Sequence, residues 1–250
     1  MTDPAHTIIS IAERPELEPR LDPIMFRSWA DFMLNDPVGN RLWNKLFSVF
    51  PDYQFVLLDR DDTILAIGNS LPFHFGKELD ELPDTGWDWV MEKGFADKRA
   101  GLEPTLVSAL AITIPEEHRA KRLSAVMVRH MVELTRRAGL SALVAPVRPN
   151  FKAKYPTVPI AKYVAWKDKE GLPFDPWLRV HVRLGGEIIK VCHHAMTIPG
   201  RVDQWERWAG MAFPESGSYV VPGALVPVHV DIEHDLAEYV EPNVWVVHRV

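Results

Sequence analysis

Between Thr105 and Val147 the chain reads TLVSALAITIPEEHRAKRLSAVMVRHMVELTRRAGLSALVAPV, and this stretch limits the fold more than any other. Leu106 to Ile114 is an apolar run with Thr and Val mixed in, and Ser141 to Val147 is a second, shorter one. Between them Leu123, Met127, Met131, Leu134 and Ala138 recur at steps of three and four, while Arg129, Glu133, Arg136 and Arg137 fall on other faces. Gly139 supplies a C-terminal stop. The pattern predicts a strand, a turn, a long helix and a second strand, which together form a βαβ unit.

The helix start carries the chemistry. His118, Arg119, Lys121 and Arg122 put cationic side chains where the helix dipole is already positive, and only an anion makes that favourable. A cationic turn that leaves a strand and enters a helix describes a phosphate site, where free backbone N–H groups and side-chain charges converge. A solvated basic turn is the other reading these residues allow.

The run Pro115-Glu116-Glu117-His118-Arg119-Ala120-Lys121-Arg122-Leu123-Ser124 resembles the turn of the GNAT (acyl-CoA N-acyltransferase) superfamily. The family pattern is Arg or Gln, two residues, Gly, one residue, then Gly or Ala. Arg119 and Ser124 fit, and Arg122 stands at the first Gly. The resemblance implies that the strand, ending at Ile112, Thr113 and Ile114, offers backbone groups to a pantetheine arm. It also implies that Arg119, Ala120, Lys121, Arg122, Leu123 and Ser124 hold the pyrophosphate of acetyl-CoA or another acyl-CoA. Gly serves there because bare backbone can approach the phosphates. Arg122 either swings away and adds a phosphate contact or obstructs the groove and weakens coenzyme A binding.

The order of the remaining elements agrees with the family. Thr7 to Ala12 reads as a strand, and Met25 to Phe50 carries helical apolar spacing. Gln54 to Asp59 and Thr63 to Asn69 flank Arg60-Asp61-Asp62 as a hairpin, and Gly86 to Arg99 reads as a helix. The fold expected is α/β (α+β), with a GNAT-like mixed, mostly antiparallel central sheet flanked by helices and a C-terminal β-rich extension. Residues 1–199 form the acyl-CoA-binding domain, with an insertion at 154–174, and 200–250 pack on it as the extension. The tail reads as strands SYVV, ALVPVHVDI and VWVVHRV, separated by Pro222-Gly223 and Glu241-Pro242-Asn243. From Gly86 onward the wording resembles an uncharacterised branch of the superfamily with PVRP, FDPWLRVH and EPNVW segments.

Asp175-Pro176 starts a helix and Gly185-Gly186 stops it, and a strand from Glu187 to Cys192 would complete the core. In that register the resemblance puts His181 where relatives carry the Tyr that protonates the leaving thiolate. A histidine suits a thiol of pKa about 8.5, although most histidines among apolar neighbours are ordinary core residues. For the base that deprotonates the amine, Glu117 and His118 stand at the strand end that faces the thioester in the family geometry, with Glu103 and Glu116 as further candidates.

Charge and composition narrow the partners. The formal net charge is −6, so nucleic acid and anionic membrane are not expected outside the local basic turn. No apolar run approaches the roughly 20 residues of a membrane span, and the start of the chain has no signal-peptide pattern. With a lone Cys192, a cytoplasmic protein without disulfides is expected, with a homodimer possible through the tail strands. His193-His194 and His229, Asp231, Glu233 and His234 contain metal-binding residue types, but adjacent or alternating positions on a strand describe a solvated surface, so no metal is expected. The function implied is transfer of an acyl group, such as acetyl, from acyl-CoA to an amine of a small molecule by direct attack. The alternative is a non-catalytic or sensory relative with a modified phosphate turn. In the first case Trp166, Trp205, Trp208, Tyr219 and Trp245 are expected to roof an acceptor pocket.

Overall fold

The computed structural model describes residues 6–119 and 121–250. The strands are β1 (Thr7–Ser10), β2 (Gln54–Leu58), β3 (Ile64–Phe73), β4 (Leu106–Thr113), β5 (Ala142–Val147), β6 (Glu187–Gly200), β7 (Gly217–Tyr219), β8 (Val228–Asp231) and β9 (Leu236–Arg249). The helices are α1 (Asp22–Phe26), α2 (Pro37–Leu42), α3 (Leu46–Val49), α4 (Gly86–Ala100), α5 (Leu123–Arg137), α6 (Ile160–Val164), α7 (Pro176–Arg183) and α8 (Val202–Ala209). The strands form one nine-stranded sheet running β1-β2-β3-β4-β5-β9-β8-β7, with β6 on β9. Only β4 and β5 pair in parallel. The mixed, mostly antiparallel sheet expected from the sequence is therefore present.

The predicted βαβ unit holds. Leu123, Met127 and Met131 of α5 are buried against Phe55, Leu57, Val107 and Leu143, each fully buried side chain contributing about 1.5–3 kcal/mol of transfer free energy. On the other face α4 places Trp87, Val90, Met91 and Phe95 on Leu71, Phe73, Leu106 and Leu110. At Gly94 a Cβ would come within 2.4 Å of Leu71 Cδ1, so the close approach of α4 to β3 requires glycine.

The tail differs from expectation in one respect. Glu241-Pro242-Asn243 reads as a separator, yet β9 runs straight through it and lies between β5 and β6, paired with β5 over Val244–Arg249. The ladder to β6 skips from Cys192↔Asn243 to Met196↔Glu241, so residues 193–195 bulge opposite Pro242, the residue with no N–H to give. The same bulge changes the expected geometry of His193 and His194. Instead of pointing to opposite faces, their Nδ1 atoms lie 3.2 and 3.0 Å from the two carboxylate oxygens of Asp84.

The expected aromatic roof divides. Trp166 packs with Tyr155, Tyr163 and Phe174 on the α6–α7 side. Trp205, Trp208, Tyr219 and Trp245 belong to the cluster on the opposite face.

Candidate active site

β4 and β5 stay together only over Leu106–Ser108 and Ala142–Val144, then separate. In the same region β4 is bulged: Asn69 pairs with Ala111 and Ser70 with Ala109, which leaves Leu110 outside the ladder. The carbonyl of Leu110 accepts instead from Trp87 Nε1 at 3.1 Å. Ala109, Ala111 and Ile112 are half-buried although β4 is an interior strand, which is what a wedge opening between β4 and β5 produces. Small side chains keep that wedge clear.

At the mouth of the wedge the chain makes a single turn, Glu116–His118, and enters α5 at Leu123. Arg122 is the residue just before the helix, and its φ of 59° and ψ of 21° lie in the left-handed region. That conformation favours glycine, so the residue at the pattern's first Gly keeps the glycine-like backbone while carrying a guanidinium. No side chain caps this end of α5, and the first-turn N–H groups face outward with Arg119, Lys121 and Arg122 exposed around them. His118 Nδ1 lies 3.2 Å from Lys121 Nζ, and Glu117 is exposed. Ala120 lies outside the described residues.

α7 starts as predicted, with Asp175 Oδ1 accepting from the N–H groups of Trp177 and Leu178. His181 is 2% exposed, edge-on to Trp177, with Nδ1 3.0 Å from His248 Nε2. His181 Nε2 has no protein partner. Burial, with the neighbouring His248, holds its pKa down at about 3, so the ring is neutral near pH 7. The 3.0 Å contact engages His181 Nδ1 and leaves its Nε2 as the free ring nitrogen. His181 shares no hydrogen bond with Glu117 or His118 among the described residues. Between α5 and α7 lies a groove of about 320 Å³ lined by Val128, Val132, Leu184 and the charged residues Arg129, Glu133 and Arg136.

Sequence reasoning missed a group on the opposite face of the sheet. Asp36 is 2% exposed at the head of α2, with Oδ2 accepting from Gly39 N and Oδ1 without a partner. Asp88, in the first turn of α4, accepts from Thr197 N at 3.1 Å, and its Oδ1 is also buried and unpartnered. Glu241 is fully buried but satisfied by Arg148, Tyr239 and Asn243. Burial pushes Asp36 up to about 6 and Asp88 to about 8, and repulsion from the neighbouring carboxylates adds to both. Asp36 and Asp88 stand 52 positions apart in the chain, and no local pattern marks either.

Among the described residues no group of three or more His, Cys, Asp or Glu side chains is arranged to hold a metal ion, and no helix is long and apolar enough to cross a membrane.

No family model matches the chain. It is 36% identical over 277 residues, covering 99% of this chain and 95% of the relative, to the arginine N-acetyltransferase avaD of Aspergillus versicolor. Among solved structures, the loading GNATL domain of CurA from Lyngbya majuscula aligns with a TM-score of 0.64 at 18% identity, covering 98% of this chain and 97% of that one. The GphF GNAT-like decarboxylase in complex with isobutyryl-CoA aligns at 0.58 with 15% identity, covering 97% and 98%. At those identities the two structures speak to the fold alone. Full-length identity to a curated N-acetyltransferase, together with the splayed strands and the turn into α5, makes the chain a member of the GNAT superfamily of acyl-CoA N-acyltransferases.

Proposed function

We propose that the chain moves an acyl group, acetyl in the first instance, from coenzyme A to the amine of a small molecule, and that L-arginine is the acceptor to test first. The observation that carries this reading is the full-length identity to an arginine N-acetyltransferase. In the proposed complex the pantetheine arm lies in the wedge beside Ile112, Thr113 and Ile114. The pyrophosphate meets the N–H groups at the head of α5 and the side chains of Arg119, Lys121, Arg122 and Ser124, with Ala120 and Leu123 completing the turn. These uncapped donors already have cations around them, and the coenzyme would offset the like-charge crowding.

The attacking amine must be neutral, and nitrogen attack on the thioester carbonyl gives a tetrahedral intermediate that loses a proton and expels the thiolate. We assign His181 to that proton. With Nδ1 held by His248, its free Nε2 can take the proton from nitrogen and return it to the departing sulfur. A developing thiolate beside the ring favours the protonated form that burial otherwise disfavours. Glu117 and His118, at the exposed turn, remain the proposed carriers of the acceptor's first proton to solvent.

The test joins binding and turnover. Acetyl-CoA at about 100 times its dissociation constant should stabilise the fold by about 2.7 kcal/mol, and thiol release should depend on added L-arginine. The absence of both a thermal shift and thiol release with any amine would refute the reading.

A further inference from the structure

We propose that Asp36 and Asp88 form a binding site for the cationic end of the acceptor, a guanidinium or a second ammonium group, on the face of the sheet opposite α5. This rests on the acyltransferase reading above and adds the recognition chemistry of its acceptor half.

Asp36 is buried and Asp88 half-buried, and each has one carboxylate oxygen bonded to a backbone N–H and the other buried and bare, which is unfavourable for the ionised pair unless something positive arrives. Among the described residues no cationic side chain bonds either carboxylate, and Arg41 acts on Asp36 only at a distance. Arg148 is committed to Glu241 and to the carbonyl of Gly223, and Arg41 is paired with Glu92. Glu241, the third carboxylate close enough to repel both, already has its cation, so Asp36 and Asp88 are the two acids whose ionisation is left uncompensated.

The shape of the site agrees. Gly39 sits between Asp36 and Trp87: a Cβ there would be 3.1 Å from Asp36 Oδ2 and 3.7 Å from Trp87 Cη2. Trp87 is stacked on Trp43 at 6.2 Å, so the residue beside Asp88 is held in place by a second tryptophan. Trp87 also donates to the carbonyl of Leu110, the bulged residue where the wedge opens, and Asp88 is the next residue along α4. The residue that anchors α4 to the wedge and the acid that would meet the cation are thus neighbours in the chain.

The experiment is a calorimetric titration of the full chain, with coenzyme A present, using L-arginine, agmatine and cadaverine against L-citrulline, which matches arginine in size but carries no side-chain charge. At least one of the cationic ligands is expected to bind ten times or more tighter than citrulline. Asp36→Asn and Asp88→Asn are each expected to erase most of that difference while coenzyme A still titrates as in the unsubstituted chain. If citrulline binds as well as every cationic ligand, the site is not a cation site and the proposal is overturned. It is equally overturned if both Asn variants keep the preference, which would leave the two carboxyls as a proton-sharing structural pair. The ligand comparison needs no variant to fold. Cation binding without acetyl product would instead count against the acyltransferase reading, and acetyl transfer that ignores acceptor charge would count against this inference alone.

Discussion

Asp88→Asn should change how the stability of this protein depends on pH. In the folded chain the Asp88 carboxyl is raised from 3.8 to about 8, so folding takes up a proton across that span. Its stabilising contribution is complete below about pH 4 and is lost as pH rises through 8. One proton per molecule corresponds to 1.36 kcal/mol per pH unit, so between pH 5 and 7 the carboxyl costs the fold about 2–3 kcal/mol that the isosteric amide does not. The amide oxygen still accepts from Thr197 N. Surface carboxylates held low, such as Asp62 beside Arg14 and Glu133 beside Arg137, finish titrating below this window. His130 and His181, held low by burial, push the other way, since the unfolded chain binds their protons below pH 6.5. The absolute profile therefore mixes both signs, and the difference between the two proteins isolates Asp88 together with its coupling to Asp36. At 2–4 °C per kcal/mol for a domain of this size, the Tm of Asp88→Asn relative to wild type should gain about 4–12 °C from pH 5 to pH 7. Differential scanning fluorimetry at constant ionic strength measures it. Parallel Tm curves would show that Asp88 titrates as an ordinary surface carboxylate and would remove the electrostatic part of the reasoning.

Three further outcomes are expected. Reversing the turn with Arg119→Glu and Arg122→Glu should weaken coenzyme A by more than about 1.4 kcal/mol, or tenfold, by calorimetry; unchanged affinity would move the pyrophosphate elsewhere. His181→Phe should lower turnover by roughly 10²-fold or more while coenzyme A binds as before, and full turnover at neutral pH would return His181 to the role of a packing residue. Lys152 is buried with its Nζ on the carbonyls of Tyr155 and Leu225 at 2.8 and 2.6 Å. Lys152→Ala strands these acceptors, at 1–3 kcal/mol for each left unsatisfied, and a urea midpoint matching wild type would contradict that.

The donor half of the molecule was legible because its signals are local. The spacing of Leu123, Met127 and Met131, the cations before them and the Asp175-Pro176 start of α7 each lie within one helical turn of what they specify. Even Arg122 at a glycine position was informative, since the backbone there did need the left-handed region. The acceptor half was not legible. Asp36, Asp88 and Glu241 meet only when α2, α4 and β9 pack on one another, and each alone looks like a cap, a first-turn acid or a strand-end acid. The path of β9 through Glu241-Pro242-Asn243 was hidden for a similar reason. Pro242 interrupts a strand by the usual rules, and only the bulge in a partner more than 40 residues upstream makes room for it.

The position of β9 also sets the order in which the chain can become a stable object. β5 is complete at Val147 and β6 at Gly200, yet the strand that bonds to both spans Leu236–Arg249. During synthesis the growing chain therefore carries an open edge on β5 for about 90 residues, with the parallel β4–β5 pair and the turn into α5 already made on its other side. Closing the sheet is a long-range event, slow by the usual dependence of rate on sequence separation, and the unpaired edge offers itself to any other extended chain in the meantime. Coenzyme bound at the α5 turn cannot hasten that closure, because β9 touches the acceptor half through Glu241 and the donor half through His248 only once it is home. For this protein the last strand to arrive is the one that joins the two halves, so slow-folding or temperature-sensitive variants should concentrate in β9 and in the β6 bulge that receives it.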